Sequence, residues 1–534
     1  MRTLYRNGKV YTGTLPLADA FAVEDGRFVF AGAGADAPDC DETVDLDGAF
    51  VCAGFNDSHM HLLNFGQSLT MAELAAHTDS LAGMLEYLRS YAAALPTGSG
   101  RWIRGRGWNQ DYFADQHRMP DRHDLDTVSR DVPVVIVRCC GHCLSVNSAA
   151  LEVCGITEHT PCPEGGRIGM ADGEPDGLFY DDAMTLIYSR LPLPDLNEIK
   201  DMLRRGCAAL NRYGVTSVQS DDYCVFRDVP WETVNRAYRE LEATGELTVR
   251  VYEQSNFTSV PQLEAFIAAG CVTGVGSDRF RIGPLKLLGD GSLGARTAYL
   301  SHPYADDPTT RGIPIFTQEQ MDALVGCAHA HGMQVAVHAI GDATLDMVLN
   351  AVEKAQAEHP RNDCRHGVVH CQISRPDQLR RMAEMGIHIY AQSIFLDYDI
   401  HIAEPLVGPE LAQSSYSWKT LMDSGCSVSN GSDCPVELPD VMAGIQCAVT
   451  RSTLRDHLGP YLPDQAFTVQ EALDSYTIHG AEASFEENVK GRVAPGYLAD
   501  FVVLGNDPFR TDPFALRDIP VLATYLAGEC VYRA

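Results

Sequence analysis

The chain has 534 residues, 45% hydrophobic and 21% charged, which is ample for one large core plus satellites. Its 72 acidic residues against 41 basic ones give a formal net charge of -31, and so exclude the basic face that nucleic acid or an anionic membrane rewards. Its 17 cysteines are odd in number and irregularly spaced, as free thiols in a reducing compartment would be rather than a disulfide framework. Met1 to Gly8 holds no apolar leader and no apolar run of about 18 residues follows, so the sequence reads as cytoplasmic.

Residues 4–11 and 20–30 read as short strands, with Asn7-Gly8 and Asp25-Gly26 as hairpin signals. A strand then runs from Gly54 toward His59 and His61. Further strands are predicted at 215–219, 247–252, 282–288, 334–338, 367–370, 388–392 and 427–430, which makes eight. Helical patterns lie between several of them, such as 198–213 and 318–331. Alternation of this kind is that of an α/β TIM (β/α)8 barrel, here over residues 54–488. The gap between the first and second strands far exceeds one crossover helix, so an inserted subdomain is expected at about 64–190. Residues 499–504 and 521–532 return to strand texture, and the two ends, 1–53 and 489–534, are expected to form a small β-sandwich.

In Gly54-Phe55-Asn56-Asp57-Ser58-His59-Met60-His61 an apolar run ends in His-x-His, and residues two apart on a strand point the same way. Two such imidazoles are half of a divalent-metal site. His338, His370 and Asp433 fall at or just after the C-terminal ends of later strands, where this architecture builds its sites. Lys286 sits inside the apolar stretch Gly283-Pro284-Leu285-Lys286-Leu287-Leu288. Burial disfavours an ammonium, and a neutral amine is nucleophilic enough to take up carbon dioxide.

With these marks the chain resembles the metal-dependent amidohydrolase superfamily, in the YtcJ-like branch that includes N-substituted formamide deformylase. The resemblance is also carried by Gly105-Arg106-Gly107-Trp108, Asp290-Gly291-Ser292-Leu293-Gly294, Val337-His338-Ala339-Ile340-Gly341-Asp342, His366-Gly367-Val368-Val369-His370 and Gly431-Ser432-Asp433-Cys434-Pro435. It implies one or two divalent ions, zinc by preference: one held by His59, His61 and Asp433, the other by His338 and His370, with carboxylated Lys286 bridging. It implies too that Asp433 is the general base and acid in cleavage of a non-peptide carbon–nitrogen bond, an amide or formamide, in a small molecule. Deamination or ester hydrolysis on the same site stays open. No nucleic-acid or membrane partner is expected, and the chain would act alone or as a homodimer.

His142, Arg296 and Gln392 are candidate substrate contacts. Cys140-Gly141-His142-Cys143 follows an apolar run and precedes a helical pattern at 145–153, the layout of a thiol redox site and the basis of a rival reading. Asp342 reads as a helix N-cap.

Overall fold

A computed structural model describes residues 1–95, 102–138, 143–163, 166–226 and 228–534. The chain divides into two compact units, Met1–Phe65 with Leu203–Ala534, and Gly66–Met202.

The first unit is built on eight parallel strands: β1 (Phe55–Met60), β2 (Val215–Ser220), β3 (Arg250–Asn256), β4 (Phe280–Leu288), β5 (Val335–Ala339), β6 (Gly367–His370), β7 (His388–Ala391) and β8 (Val428–Asn430). They pair in chain order. Strands covered on both faces need continuous apolar runs, and Val335 to Val337 and Val368 to Val369 supply them. The ladder stops between β8 and β1. There the chain closes by two backbone bonds instead, Asp433 N to His59 O and His61 N to Cys434 O, each 2.8 Å. Gly431 permits that approach, since a Cβ on it would lie 2.6 Å from His59 N.

β3 begins and ends later than its apolar pattern predicts, because Glu253, Gln254 and Ser255 are polar yet fully buried. The helix Gln318–Ala330 opens on a capping box, Thr317 accepting from Gln320 N at 3.3 Å while Gln320 Oε1 accepts from Thr317 N at 2.9 Å.

Both chain ends join one continuous eight-stranded ladder. Phe50–Ala53 is its hinge point, antiparallel to Phe501–Leu504 and parallel to the end of Arg2–Val10. Asp25-Gly26 is the expected tight turn, with φ of 48° and 73° between Ala18–Glu24 and Arg27–Gly32. Asn7-Gly8 is not. The strand Arg2–Val10 runs straight through it with a register shift, and there exchanges one parallel partner, Glu42–Asp45, for the other, Phe50–Ala53. Asn7, at φ 58°, is the bulged residue, and Gly8 clears Leu46, whose Cδ1 would be 2.5 Å from a Cβ.

The second unit holds a six-stranded mixed sheet with the helix Leu81–Ala94. Trp108 packs in its core, while Tyr112 is exposed. Cys140 and His142 lie outside the described residues. Cys143 is buried and begins the strand Cys143–Val146, antiparallel to Val134–Arg138, and the helix starts only at Ser148 behind the cap Asn147. Cys143 therefore sits on a strand and not on the helical first turn that a redox C-x-x-C uses, because the apolar Leu144 and Val146 complete a hairpin. Among the described residues no helix is long and apolar enough to cross a membrane.

Candidate metal centre

His59 and His61 stand at the end of β1, and both aim Nε2 at the same oxygen, Asp433 Oδ1, at 3.3 and 3.1 Å. Asp433 follows β8. Ligand atoms of His59, His370 and Asp433 all lie within 4.8 Å of one another. The His338 ring, from β5, packs edge-on against His370 with centroids 4.4 Å apart. Lys286, from β4, is completely buried, and among the described residues its Nζ has no hydrogen-bond partner; Asp221 Oδ2 is 3.8 Å away. Five strands thus bring His59, His61, Lys286, His338, His370 and Asp433 to one end of the barrel.

The outward ring nitrogens settle which atoms face inward. His59 Nδ1 meets Gln254 Oε1 at 2.6 Å, His61 Nδ1 meets the Asp221 carbonyl at 2.9 Å, and His370 Nδ1 meets Gln392 Oε1 at 2.8 Å. Each of these oxygens only accepts, so Nδ1 carries a proton and Nε2 is the nitrogen turned toward the site. His338 is the reverse: its Nε2 meets Gly291 O at 3.0 Å and Asp290 Oδ1 at 3.2 Å, which leaves Nδ1. Imidazole Nε2 atoms converging on a carboxylate, with His370 Nε2 and Lys286 Nζ buried and unpartnered among the described residues, are a ligand set that a divalent cation would satisfy. The residues fit a metal.

Burial alone would raise Asp433, but hydrogen bonds from His59 and His61 overcome it and hold the carboxyl well below its usual range. His61 moves oppositely. Burial opposes its charge, yet Asp433 pulls it well above 6.5. Burial, reinforced by Lys286, pushes His59 down to about 4. His370 is held low by burial and by His338.

Backbone strain gathers at the same place. His370 has φ 75° and Asp433 φ 57°, left-handed values that side chains other than glycine rarely adopt and that cost about 1–3 kcal/mol each. Trp418 Nε1 holds the strained His370 carbonyl at 3.0 Å, and Phe395 stacks on the His370 ring with centroids 5.8 Å apart.

Besides Gln254, three residues around the site escape a reading of the sequence. Asp221 and Cys224, just past β2, have ligand atoms within 4.8 Å of each other and of one from His61, and the Cys224 Sγ donates to Asp221 Oδ1 at 3.4 Å. Asp290 is buried and accepts from Tyr299 N, Ile340 N, Gly341 N and Thr344 Oγ1 while facing His338. The signal for Asp290 was present in its motif. Asp221 and Cys224 carried none, because their partners lie on another strand.

Other expected contacts fall elsewhere. Gln392 is buried, with Oε1 on His370 and Nε2 donating to Tyr390 O. Arg296 is partly exposed and paired with Asp306. Asp342 is the first residue of its helix and not the cap: Gly341 takes that place, and Asp342 accepts from Ser301 N and pairs with Arg375 at 2.6 Å. A further trio, His329, Cys364 and His366, looks metal-like but is closed on itself. Val335 N donates to His366 Nδ1, His366 Nε2 to His329 Nδ1, and His329 Nε2 to His359 O, so no imidazole lone pair is left.

Residues 42–532 match the amidohydrolase family, and the chain belongs to it. It is accordingly an enzyme, a hydrolase of the class acting on carbon–nitrogen bonds other than peptide bonds. The chain is 34% identical to a candidate amidohydrolase, YtcJ, of Bacillus subtilis (strain 168), over 100% of this chain and 99% of that one. It is 27% identical to N-substituted formamide deformylase of Arthrobacter pascens, over 96% and 95%. An uncharacterised metal-dependent hydrolase of Pyrococcus horikoshii OT3 superposes with a TM-score of 0.79 at 27% identity, covering 96% of this chain and 99% of that one.

Proposed function

We propose that this protein cleaves the carbon–nitrogen bond of a small amide or formamide, with His59, His61, His338, His370 and Asp433 holding one or two divalent ions, zinc by preference. The observation that carries the reading is the convergence of two Nε2 atoms on one oxygen of Asp433, beside the unpartnered Nζ of Lys286 and Nε2 of His370. A cation bound there supplies a lowered water pKa and polarises the carbonyl.

Within that arrangement Asp433 moves the proton. The imidazoles of His59 and His61 address Oδ1, so Oδ2 is the oxygen placed to take a proton from the attacking water. As the carbon–nitrogen bond breaks, the same carboxyl returns that proton to the amine nitrogen, and the acid and amine leave. Lys286, if it took up carbon dioxide as a carbamate, would add anionic oxygens to the ligand set. Phe395, stacked on His370, sets an apolar ring beside the site. The kinship with a formamide deformylase supports N-formyl compounds as the first substrates to try.

The test pairs metal analysis with a panel of N-formyl, N-acyl, ester and amidine compounds. The parent should carry one to two divalent ions per chain and act best on an amide or formamide, and His59→Ala with His61→Ala should lose metal and turnover together. A metal-free protein with full activity would refute the reading.

A further inference from the structure

Two buried glutamines control which atoms the histidines offer. Gln254 from β3 and Gln392 just past β7 are both fully buried, and each amide is held at both ends. Gln254 Nε2 donates to Ser58 O at 3.2 Å, and Gln392 Nε2 donates to Tyr390 O at 2.9 Å. Flipping either amide would set its oxygen against a carbonyl oxygen, so Oε1 must face the ring. An amide oxygen only accepts. The hydrogen bonds of 2.6 Å to His59 Nδ1 and 2.8 Å to His370 Nδ1 therefore place a proton on each outward nitrogen and leave Nε2 as the inward, metal-facing atom.

We propose that Gln254 and Gln392 are a pair of neutral positioning residues that preset His59 and His370 as Nε2 ligands for a divalent cation. The inference rests on the metal reading above. A carboxylate at either position would also accept from the ring, but would set its second oxygen against the Ser58 or Tyr390 carbonyl and bury a further negative charge in the site. The amides give the tautomer without the charge. Gln254 also ties β3 to the Ser58 carbonyl directly before His59, so one side chain fixes both the ring and the backbone that carries it.

The test compares Gln254→Met and Gln392→Met, which keep volume but lose the acceptor, with Gln254→Glu and Gln392→Glu, which keep it. Each metal-free protein is titrated with Zn2+ against a chromophoric chelator, and its melting temperature is measured alongside. The Met variants should bind Zn2+ about 10- to 100-fold more weakly than the parent, and the Glu variants, which keep the acceptor but lose the donor to the carbonyl, should fall between the two. Met variants within about two-fold of the parent, or Glu variants as weak as the Met ones, would overturn the proposal. If the Met variants do not fold, imidazole 15N spectra of the metal-free parent decide: Nδ1-protonated His59 and His370 support it, and Nε2-protonated rings overturn it. A parent that takes up no Zn2+ refutes the metal reading itself, whereas a parent that binds with indifferent variants refutes only the role of the glutamines.

Discussion

Replacing Asp433 by asparagine separates its two tasks. The change keeps the shape and one oxygen, so an acceptor remains for the Nε2 atoms now 3.3 and 3.1 Å from Oδ1. It replaces Oδ2 with an NH2 group, which cannot take a proton. A positioned acid/base contributes about 10²- to 10⁴-fold, equivalent to about 2.7–5.5 kcal/mol of barrier at about 1.36 kcal/mol per decade. Turnover on the best formamide or amide should fall by that factor, while zinc content by elemental analysis stays near the parent's. A second effect follows from charge. His61 is raised by Asp433 against the pull of burial, so in the variant burial prevails and the His61 pKa falls in the metal-free protein. The acidic limb of the pH–rate profile should change as well, because it reports the coupled unit in the parent. A variant that turned over within about ten-fold of the parent, with an unchanged acidic limb, would refute proton transfer by Asp433.

Lys286→Ala should bind metal more weakly, and added bicarbonate or a short carboxylic acid should restore part of the binding; metal affinity equal to the parent's would exclude a bridging carbamate. The histidines outside the site govern acid stability. His366 and His388 are both pushed down to about 3 by burial, so the unfolded chain takes up their protons near 6.5 while the folded chain refuses them. Their contribution is complete above pH 6.5 and is lost as pH falls toward 3, at about 1.4 kcal/mol per pH unit for each. Urea unfolding between pH 7 and 5 should show this slope. His388→Gln should reduce it by one proton, and an unchanged slope would mean that His388 already titrates normally in the fold.

Much of the site could be read from the chain because it is written locally. Alternation on a strand puts His59 and His61 on one side, a barrel gathers its strand ends on one rim, and Lys286 in an apolar strand signals a burial that needs a reason. The family marks run through the same residues. What the linear pattern could not supply were the partners chosen across strands. Gln254 lies beyond the apolar run of β3 and reads as loop, yet the strand continues through it because its amide is satisfied inside the barrel by His59 and Ser58. Asp221, Cys224 and Asp290 join the site for the same reason, through contacts between elements far apart in sequence. Asn7-Gly8 is a hairpin signal by composition, and only the presence of two successive parallel neighbours turned it into a bulge. Hydrophobic periodicity reports how each segment meets the core, whereas a buried polar side chain keeps its place only if a particular partner arrives, and that partner is set by tertiary structure alone.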